Sequence, residues 1–277
     1  MRELRDRVAV VTGGASGIGR AISLELARAG MRIVLADIDA ARLQAAQKEI
    51  EALGTQALGV ITDVRQLESV QQLLAQTLAH FGRCDVMVNN AGVFHANTML
   101  GAPIEQWRRV IDTNLWGVIH GSHVFGTHFV QAGSGHIVNT ASAAGLFPAV
   151  GMSSYSTSKF AIVGFSQQLR WELAAHGVGV TTLCPGVVST GIGAAQGVGL
   201  EHLVDPLALT ARSPKPEGLA RKVRRAIERD QALVRYGADA YLFSFLRLWP
   251  QWMIGPLGRF MAKTSAAFFR GEIKPRV

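Results

Sequence analysis

Tyr155 and Lys159 stand four residues apart in Tyr155-Ser-Thr-Ser-Lys159. The apolar spacing around them predicts a long helix from Ser154 to Ala175, and a four-residue step puts both side chains on one helical face. A free phenol ionises near pH 10, too high for ready proton exchange at neutral pH. A neighbouring ammonium favours the phenolate and lowers that value, and a helix N-terminus acts in the same direction. Tyr155 is therefore a candidate general base for an alcohol or general acid for a carbonyl. The pair alone is weak, because this spacing arises by chance on many helices. Ser142, thirteen residues earlier, strengthens it with a hydroxyl that can hydrogen-bond a substrate oxygen. Asn114, in Asp112-Thr-Asn-Leu115, offers an amide that could hold a water linking Lys159 to solvent. A satisfied helix-interior asparagine is an equal reading of that residue alone.

A second constellation lies near the start. The apolar, β-branched run Val8–Thr12 passes into Gly13-Gly14-Ala15-Ser16-Gly17-Ile18-Gly19 and then into a helical pattern. Strand, glycine-rich turn and helix bring backbone N–H groups and a helix N-terminus onto a pyrophosphate. Gly13 can make the turn, Gly17 lets phosphates approach, and Gly19 lets helix and strand pack. Ser16 and Ile18 belong to the same cradle. Asp37 ends the second strand, 18 residues after Gly19, where a carboxylate can accept from the adenosine ribose hydroxyls and repel a 2′-phosphate. Its neighbours Ile38 and Asp39 provide no base, so NAD is favoured over NADP, with Ile38 counted in the cofactor site. Helix capping suits Asp39 better than Asp37. Asp63-Val64 closes the third strand and could hold the adenine edge. Asn89-Asn90-Ala91-Gly92 closes the fourth, and its buried amides need partners, from a cofactor or from a neighbouring strand.

These groups need a scaffold that gathers strand ends. Apolar runs predict strands at 8–12, 32–36, 57–61, 86–89, 136–140 and 178–183, with a seventh at 233–236. Helical spacing fills 18–29, 40–53, 67–81, 104–130, 154–175 and 217–229. Such alternation predicts an α/β fold, a doubly wound parallel sheet of Rossmann type with right-handed crossovers, forming one domain over 1–237. Ligands should then bind beyond the carboxyl ends of the strands, where strand order reverses. Residues 186–213 lose periodicity and read as a lid.

The whole set, taken in order, resembles the short-chain dehydrogenase/reductase family. The matching residues are Thr12-Gly13-x-x-x-Gly17-x-Gly19, Asp63, Asn89-Asn90-Ala91-Gly92, Asn114, Ser142, Tyr155-x-x-x-Lys159 and Pro185-Gly186-x-Val188-x-Thr190, spread over residues 5–190. The resemblance implies Tyr155 as acid/base and Lys159 as both pKa modulator and ribose ligand. It implies Ser142 as substrate-oxygen stabiliser and Asn114 as holder of a relay water. Pro185, Gly186, Val188 and Thr190 are implied at the nicotinamide, with Asn90, Ala91 and Gly92 also at the cofactor. A homodimer or homotetramer joined through the long helices is implied too. The glycine spacing matches the single-domain branch. The C-terminus departs from many members, with Ala232-Leu-Val-Arg-Tyr-Gly237 followed by about forty residues.

Composition bounds the rest. The 277 residues hold only two cysteines, Cys84 and Cys184, each in an apolar run, so a disulfide framework is excluded and a reducing cytosol expected. No secretory signal and no spanning segment are read from the pattern, and no metal-ligand cluster is expected. The net charge of +8 is uneven: residues 211–277 carry 14 Lys+Arg against 5 Asp+Glu, a net of +9. Nine of the twenty aromatics fall in 236–277. That extension, 238–277, could pack on the core or a partner subunit, wall an apolar pocket, or lie on an anionic membrane. Nucleic acid is not expected, since no nucleic-acid motif accompanies the charge. Residues 186–211 of the presumed lid have no Lys or Arg to grip an anionic substrate, and around the lid Phe94, Phe147, Met152, Ile192 and Leu203 are apolar. The expected substrate is an apolar secondary alcohol or ketone, such as a steroid, retinoid or lipid. The alternatives are an NADP-linked carbonyl reductase, or a catalytically silent NAD(P)-binding regulatory or membrane-peripheral protein.

Overall fold

The computed structural model describes residues 3–96, 98–189, 213–250, 252–256 and 258–259. Seven strands form one sheet: β1 (Val8–Thr12), β2 (Arg32–Asp37), β3 (Ala57–Ile61), β4 (Val86–Asn89), β5 (Gly135–Thr140), β6 (Val178–Pro185) and β7 (Leu233–Tyr236). Their order is β3-β2-β1-β4-β5-β6-β7, and every neighbouring pair is parallel. The order reverses between β1 and β4. All five residues of β1 and all six of β5 are buried, as expected of a parallel sheet covered on both faces.

The helices are α1 (Gly17–Arg28), α2 (Ala40–Glu51), α3 (Leu67–Phe81), α4 (Ile104–Ile111), α5 (Gly117–Ala132), α6 (Ser153–Ala174), α7 (Pro216–Arg229) and α8 (Ala238–Leu246). Ile22, Leu26, Leu43, Ile50, Val223 and Ile227 from α1, α2 and α7 join one core cluster on one face of the sheet. Val70, Leu73, Phe125 and Phe129 from α3 and α5 form the other, with Leu169 and Leu173 of α6 packed against it. Asp39, not Asp37, caps α2, accepting from Arg42 N at 3.0 Å.

The expected single helix over 104–130 is interrupted. Residues Asp112–Trp116 form a π-helical turn between α4 and α5. Side-chain periodicity hardly registers one extra residue in a turn, so the sequence pattern reads through it.

α6 is held close to the sheet edge by a short 3₁₀ turn, Ala143–Gly145. A Cβ on Gly145 would lie 2.5 Å from the Lys159 carbonyl oxygen. Gly145→Ala must therefore push α6 away from this turn. The expected loss of stability is about 1–3 kcal/mol in urea unfolding; an unchanged midpoint would refute this contact as a constraint.

His136 of β5 is buried, with Nε2 2.8 Å from Thr181 Oγ1. Burial pushes its pKa down to about 4, while Asp230 pulls the other way. The folded value lies below the ordinary one, so the neutral ring is the folded form. Its contribution is full above pH 6.5 and is lost as pH falls toward 4. Stability should drop by about 2–3 kcal/mol across that window. His136→Gln should flatten the pH dependence of urea unfolding there; parallel curves for the two proteins would contradict the assignment.

Candidate active site

The reversal between β1 and β4 places two loops side by side. Gly13 sits at φ +61°, left-handed, and a Cβ there would be 3.0 Å from Ala91 Cα; glycine meets both demands. Asn90 ties the loops: its backbone N donates to Thr12 Oγ1 at 2.9 Å and its Nδ2 to the Thr12 carbonyl at 3.0 Å. Ala91 N also donates to Thr12 Oγ1, at 3.1 Å. Gly17 and Gly19 open α1, with Ile18 packed against the core beneath. Ser16 is the N-cap residue, exposed and with no side-chain capping bond. The first-turn N–H groups of α1 thus face outward beside a free hydroxyl, a setting suited to an anion. Asp37 accepts from Ala15 N at 3.4 Å and from Asp39 N at 3.2 Å, which aims the carboxylate along the same turn. Ile38 is exposed beside it.

Asp63 is engaged locally. Its carboxylate binds Arg65 Nη2 at 2.6 Å, and that pairing holds its pKa below the ordinary carboxylate range. Val64 is buried, its carbonyl 2.9 Å from His120 Nδ1. Asn89 points into the core, donating to Asn139 Oδ1 at 2.8 Å and to Ser122 Oγ at 3.2 Å, while Asn139 donates to Ser166 Oγ at 3.1 Å. A structural partner therefore meets Asn89, the second of the two readings left open for it.

Ser142, Tyr155 and Lys159 converge at the end of β5. Ser142 has an extended backbone, and its Oγ accepts from Ala144 N at 3.2 Å. Its hydroxyl is in hydrogen-bonding reach of Tyr155 and lowers the phenol's pKa, but burial is the larger influence and pushes it up. The expectation of a depressed Tyr155 pKa thus does not hold for the protein alone. Lys159 is close, with Nζ 5.6 Å from the Tyr155 ring centroid, yet desolvation wins.

Lys159 is itself buried. Its Nζ donates to the Thr140 carbonyl at 2.8 Å, and among the described residues no carboxylate pairs with it. Burial pulls its pKa down to about 8. An ammonium with donors to spare and no counter-ion fits a ligand rich in hydroxyl oxygens.

Asn114, in the π turn, is fully buried. Its Oδ1 accepts from Val93 N at 2.7 Å; its Nδ2 donates to the Val93 carbonyl at 2.9 Å and to Ser158 Oγ at 3.2 Å. The side chain thus fastens the loop after Gly92 to α6. π turns recur at functional sites, and this one sits within the constellation.

Pro185 ends β6, and Gly186 N donates to the Tyr236 carbonyl at 2.7 Å. Val188 is buried; Thr190, and the expected lid from there to 212, lie outside the described residues. Sequence reasoning missed Asp239. From the first turn of α8, its Oδ2 accepts from Val187 N at 2.8 Å. A first-turn acid on a helix is ordinary, so no signal in the sequence points to it.

The family model for short chain dehydrogenase matches residues 7–200. The chain belongs to the short-chain dehydrogenases. Among curated relatives, a "Probable oxidoreductase EphD" from Mycobacterium tuberculosis is 38% identical over 259 residues, which are 89% of this chain and 44% of that protein. The chain thus spans less than half the length of that relative. A "3-oxoacyl-[acyl-carrier-protein] reductase" from Synechocystis is 35% identical over 225 residues, covering 81% of this chain and 90% of the relative. A crystal structure of a short chain dehydrogenase/reductase from Burkholderia phymatum, in complex with NAD, has a TM-score of 0.79 at 30% identity, with 100% of both chains covered. The seven-stranded Rossmann-like sheet is the fold of the family.

Asp239→Ala frees the Val187 amide and loosens the loop after β6. The expected result is a roughly tenfold rise in KM for the nicotinamide cofactor, with partial recovery in Asp239→Asn. A KM unchanged in the alanine variant would refute the clamp.

Proposed function

We propose that the protein is an NAD(H)-dependent oxidoreductase that interconverts a secondary alcohol and a ketone or aldehyde. The observation that carries this reading is the meeting of Ser142, Tyr155 and the uncompensated Lys159 ammonium, at the same sheet edge as the Gly13 turn.

The chain's residues fit a dinucleotide. Gly13, Ser16, Gly17, Ile18 and Gly19 would take the pyrophosphate, and Asp37 with Ile38 the adenosine ribose. Asp63 and Val64 would border the adenine; Asn90, Ala91 and Gly92 the middle. Lys159, Tyr155 and the Pro185–Thr190 segment, with Gly186 and Val188, would take the nicotinamide half. A nicotinamide dinucleotide supplies the hydride acceptor or donor when bound. Ser142 Oγ holds the substrate oxygen. Tyr155 Oη takes the alcohol proton in oxidation and returns it in reduction. Because burial raises the phenol, ionisation near neutral pH needs positive charge in the closed site, and the fixed Lys159 ammonium supplies part of it. Asn114 keeps the Val93 loop and α6 in register, so the lysine stays in place.

An apolar substrate is supported by the walls. Phe94 meets Tyr155 edge to face at 5.0 Å, and Phe147, just beyond the Ser142 turn, packs on Phe243 of α8 at 5.4 Å. A "3-oxoacyl" reductase among the relatives also acts by name on a ketone. A homodimer or homotetramer through α5 and α6 is supported by exposed Phe160 and by Trp171, 75% exposed on α6.

Two measurements of NADH absorbance test the reading across a panel of steroids, retinoids, sugars and small alcohols. Tyr155→Phe should lower kcat by about 10²–10⁴; undiminished turnover would overturn the acid/base role. NAD should exceed NADP in kcat/KM by roughly tenfold or more, since the Asp37 carboxylate would repel a 2′-phosphate, and Asp37→Ala should narrow the gap. A preference for NADP would overturn the role of Asp37.

A further inference from the structure

α7 turns Leu219, Ala220, Val223, Ala226 and Ile227 to the core. Lys222, Arg225 and Arg229 follow at steps of three and four on its outer side, forming one stripe. Together with Arg235 of β7 and Tyr241 of α8, they line a surface cleft of about 280 Å³. The nearby carboxylates are committed elsewhere. Glu228 binds Arg224 at 2.6 Å, Asp230 binds Arg170 at 2.8 Å, and Asp239 holds the Val187 amide. Among the described residues, none of the four cleft cations has an ion-pair partner. Lys222 Nζ instead donates to Tyr241 Oη at 3.0 Å and to the Arg235 carbonyl at 3.1 Å. The Arg235 guanidinium lies 5.1 Å from the Tyr241 ring centroid. Like charges are thus held together where an anion would relieve their repulsion.

The surface beyond Tyr241 is apolar. Ala240 is buried and Phe243 packs inward on Phe147, so α8 presents Leu242 and Phe245 to solvent. Leu248 and Trp252, in the residues that follow α8, are 80% and 77% exposed. Exposed tryptophan, phenylalanine and leucine beside unpaired cations are the makings of a face that lies in an anionic bilayer surface. No described helix is long and apolar enough to cross a membrane, so contact of this kind is peripheral.

We propose that Lys222, Arg225, Arg229, Arg235 and Tyr241 form a phosphate site, filled by the headgroup of an anionic phospholipid in a bilayer on which Leu242, Phe245, Leu248 and Trp252 rest. Phosphate free in solution would leave the adjoining apolar side chains uncovered. A second copy of the same face would bring the same cations and no counter-charge.

The site is separate from Ser142, Tyr155 and Lys159, so its test does not depend on the proposed reaction. The full chain is mixed with vesicles of phosphatidylcholine alone, or with one third phosphatidylglycerol, and the bound fraction is read by flotation. Binding is expected to the anionic vesicles only and should weaken as salt rises. Arg225→Gln with Arg229→Gln should weaken it about fivefold per charge, roughly 25-fold together, and Trp252→Ser should weaken it without altering its salt dependence. A thermal midpoint and far-UV circular dichroism spectrum unchanged in these variants establish that they fold. Equal binding to neutral vesicles, or none to either, overturns the proposal. So does saturable binding of inorganic phosphate, by calorimetry, without vesicle binding. An oligomer that dissociates in the double variant, seen by sedimentation velocity with no vesicle binding, assigns the face to a second copy and equally overturns it.

Discussion

A buried ammonium without a counter-ion is the constraint around which this molecule is arranged. Lys159 Nζ has the Thr140 carbonyl at 2.8 Å and no carboxylate partner among the described residues. Burying an unpaired charge is costly, and the group answers by losing proton affinity, its pKa drawn down to about 8. Such a group survives only where its surroundings are rigid enough to hold it. The Ala143–Gly145 turn packs directly against the Lys159 backbone. Asn114 ties the Val93 loop to Ser158, the residue before it. The helix cannot slide or turn the side chain outward without breaking both contacts. The site is thus strained electrostatically and fixed sterically, the combination expected where a charged ligand-binding group must be ready in advance.

Rigidity at this edge comes from polar groups, although the sheet itself is apolar. Below the strand ends run Val10, Val34, Met87 and Ile137, with no exposure at all. At the ends, Thr12 binds Asn90 and Ala91, Asn89 binds Asn139, and Asn139 binds Ser166. The first set joins β1 to the loop after β4 and the second joins β4 to β5 and α6, so adjacent residues Asn89 and Asn90 tie the glycine turn to the helix carrying Tyr155. A hydrophobic core fixes how layers stack, but it tolerates small slides; directional hydrogen bonds between buried amides do not. The amides of this sheet edge are therefore best understood as struts of the site.

Much of this was legible in the residues. Parallel strands buried on both faces read as near-continuous apolar runs, and Val8–Val11 of β1, Ile33–Ala36 of β2 and Val86–Val88 of β4 do so. Four-residue spacing put Tyr155 and Lys159 on one face, and thirteen residues from strand end to helix brought Ser142 to them. What escaped has physical reasons. The π turn at Asp112–Trp116 leaves the helical pattern almost intact, so the sequence shows a helix and hides the interruption that turns Asn114 toward Val93. The Tyr155 pKa depends on how burial and charge compete, and a spacing rule carries the charge but not the burial. Asp239 lies 52 residues from the amide that it holds, and nothing local distinguishes it.

Asp239 also alters what the C-terminal segment means. A basic, aromatic extension read from composition alone could be an appendage. The structure makes its first helix part of the sheet's ligand edge: Asp239 fastens the loop after β6, Phe243 packs on Phe147 near Ser142, and Tyr241 reaches Lys222 of α7. One short helix thus touches the loop after β6, the apolar wall and the cationic cleft. Removing this helix would therefore strip a partner from each of the Val187 amide, the Phe147 ring and the Lys222 ammonium.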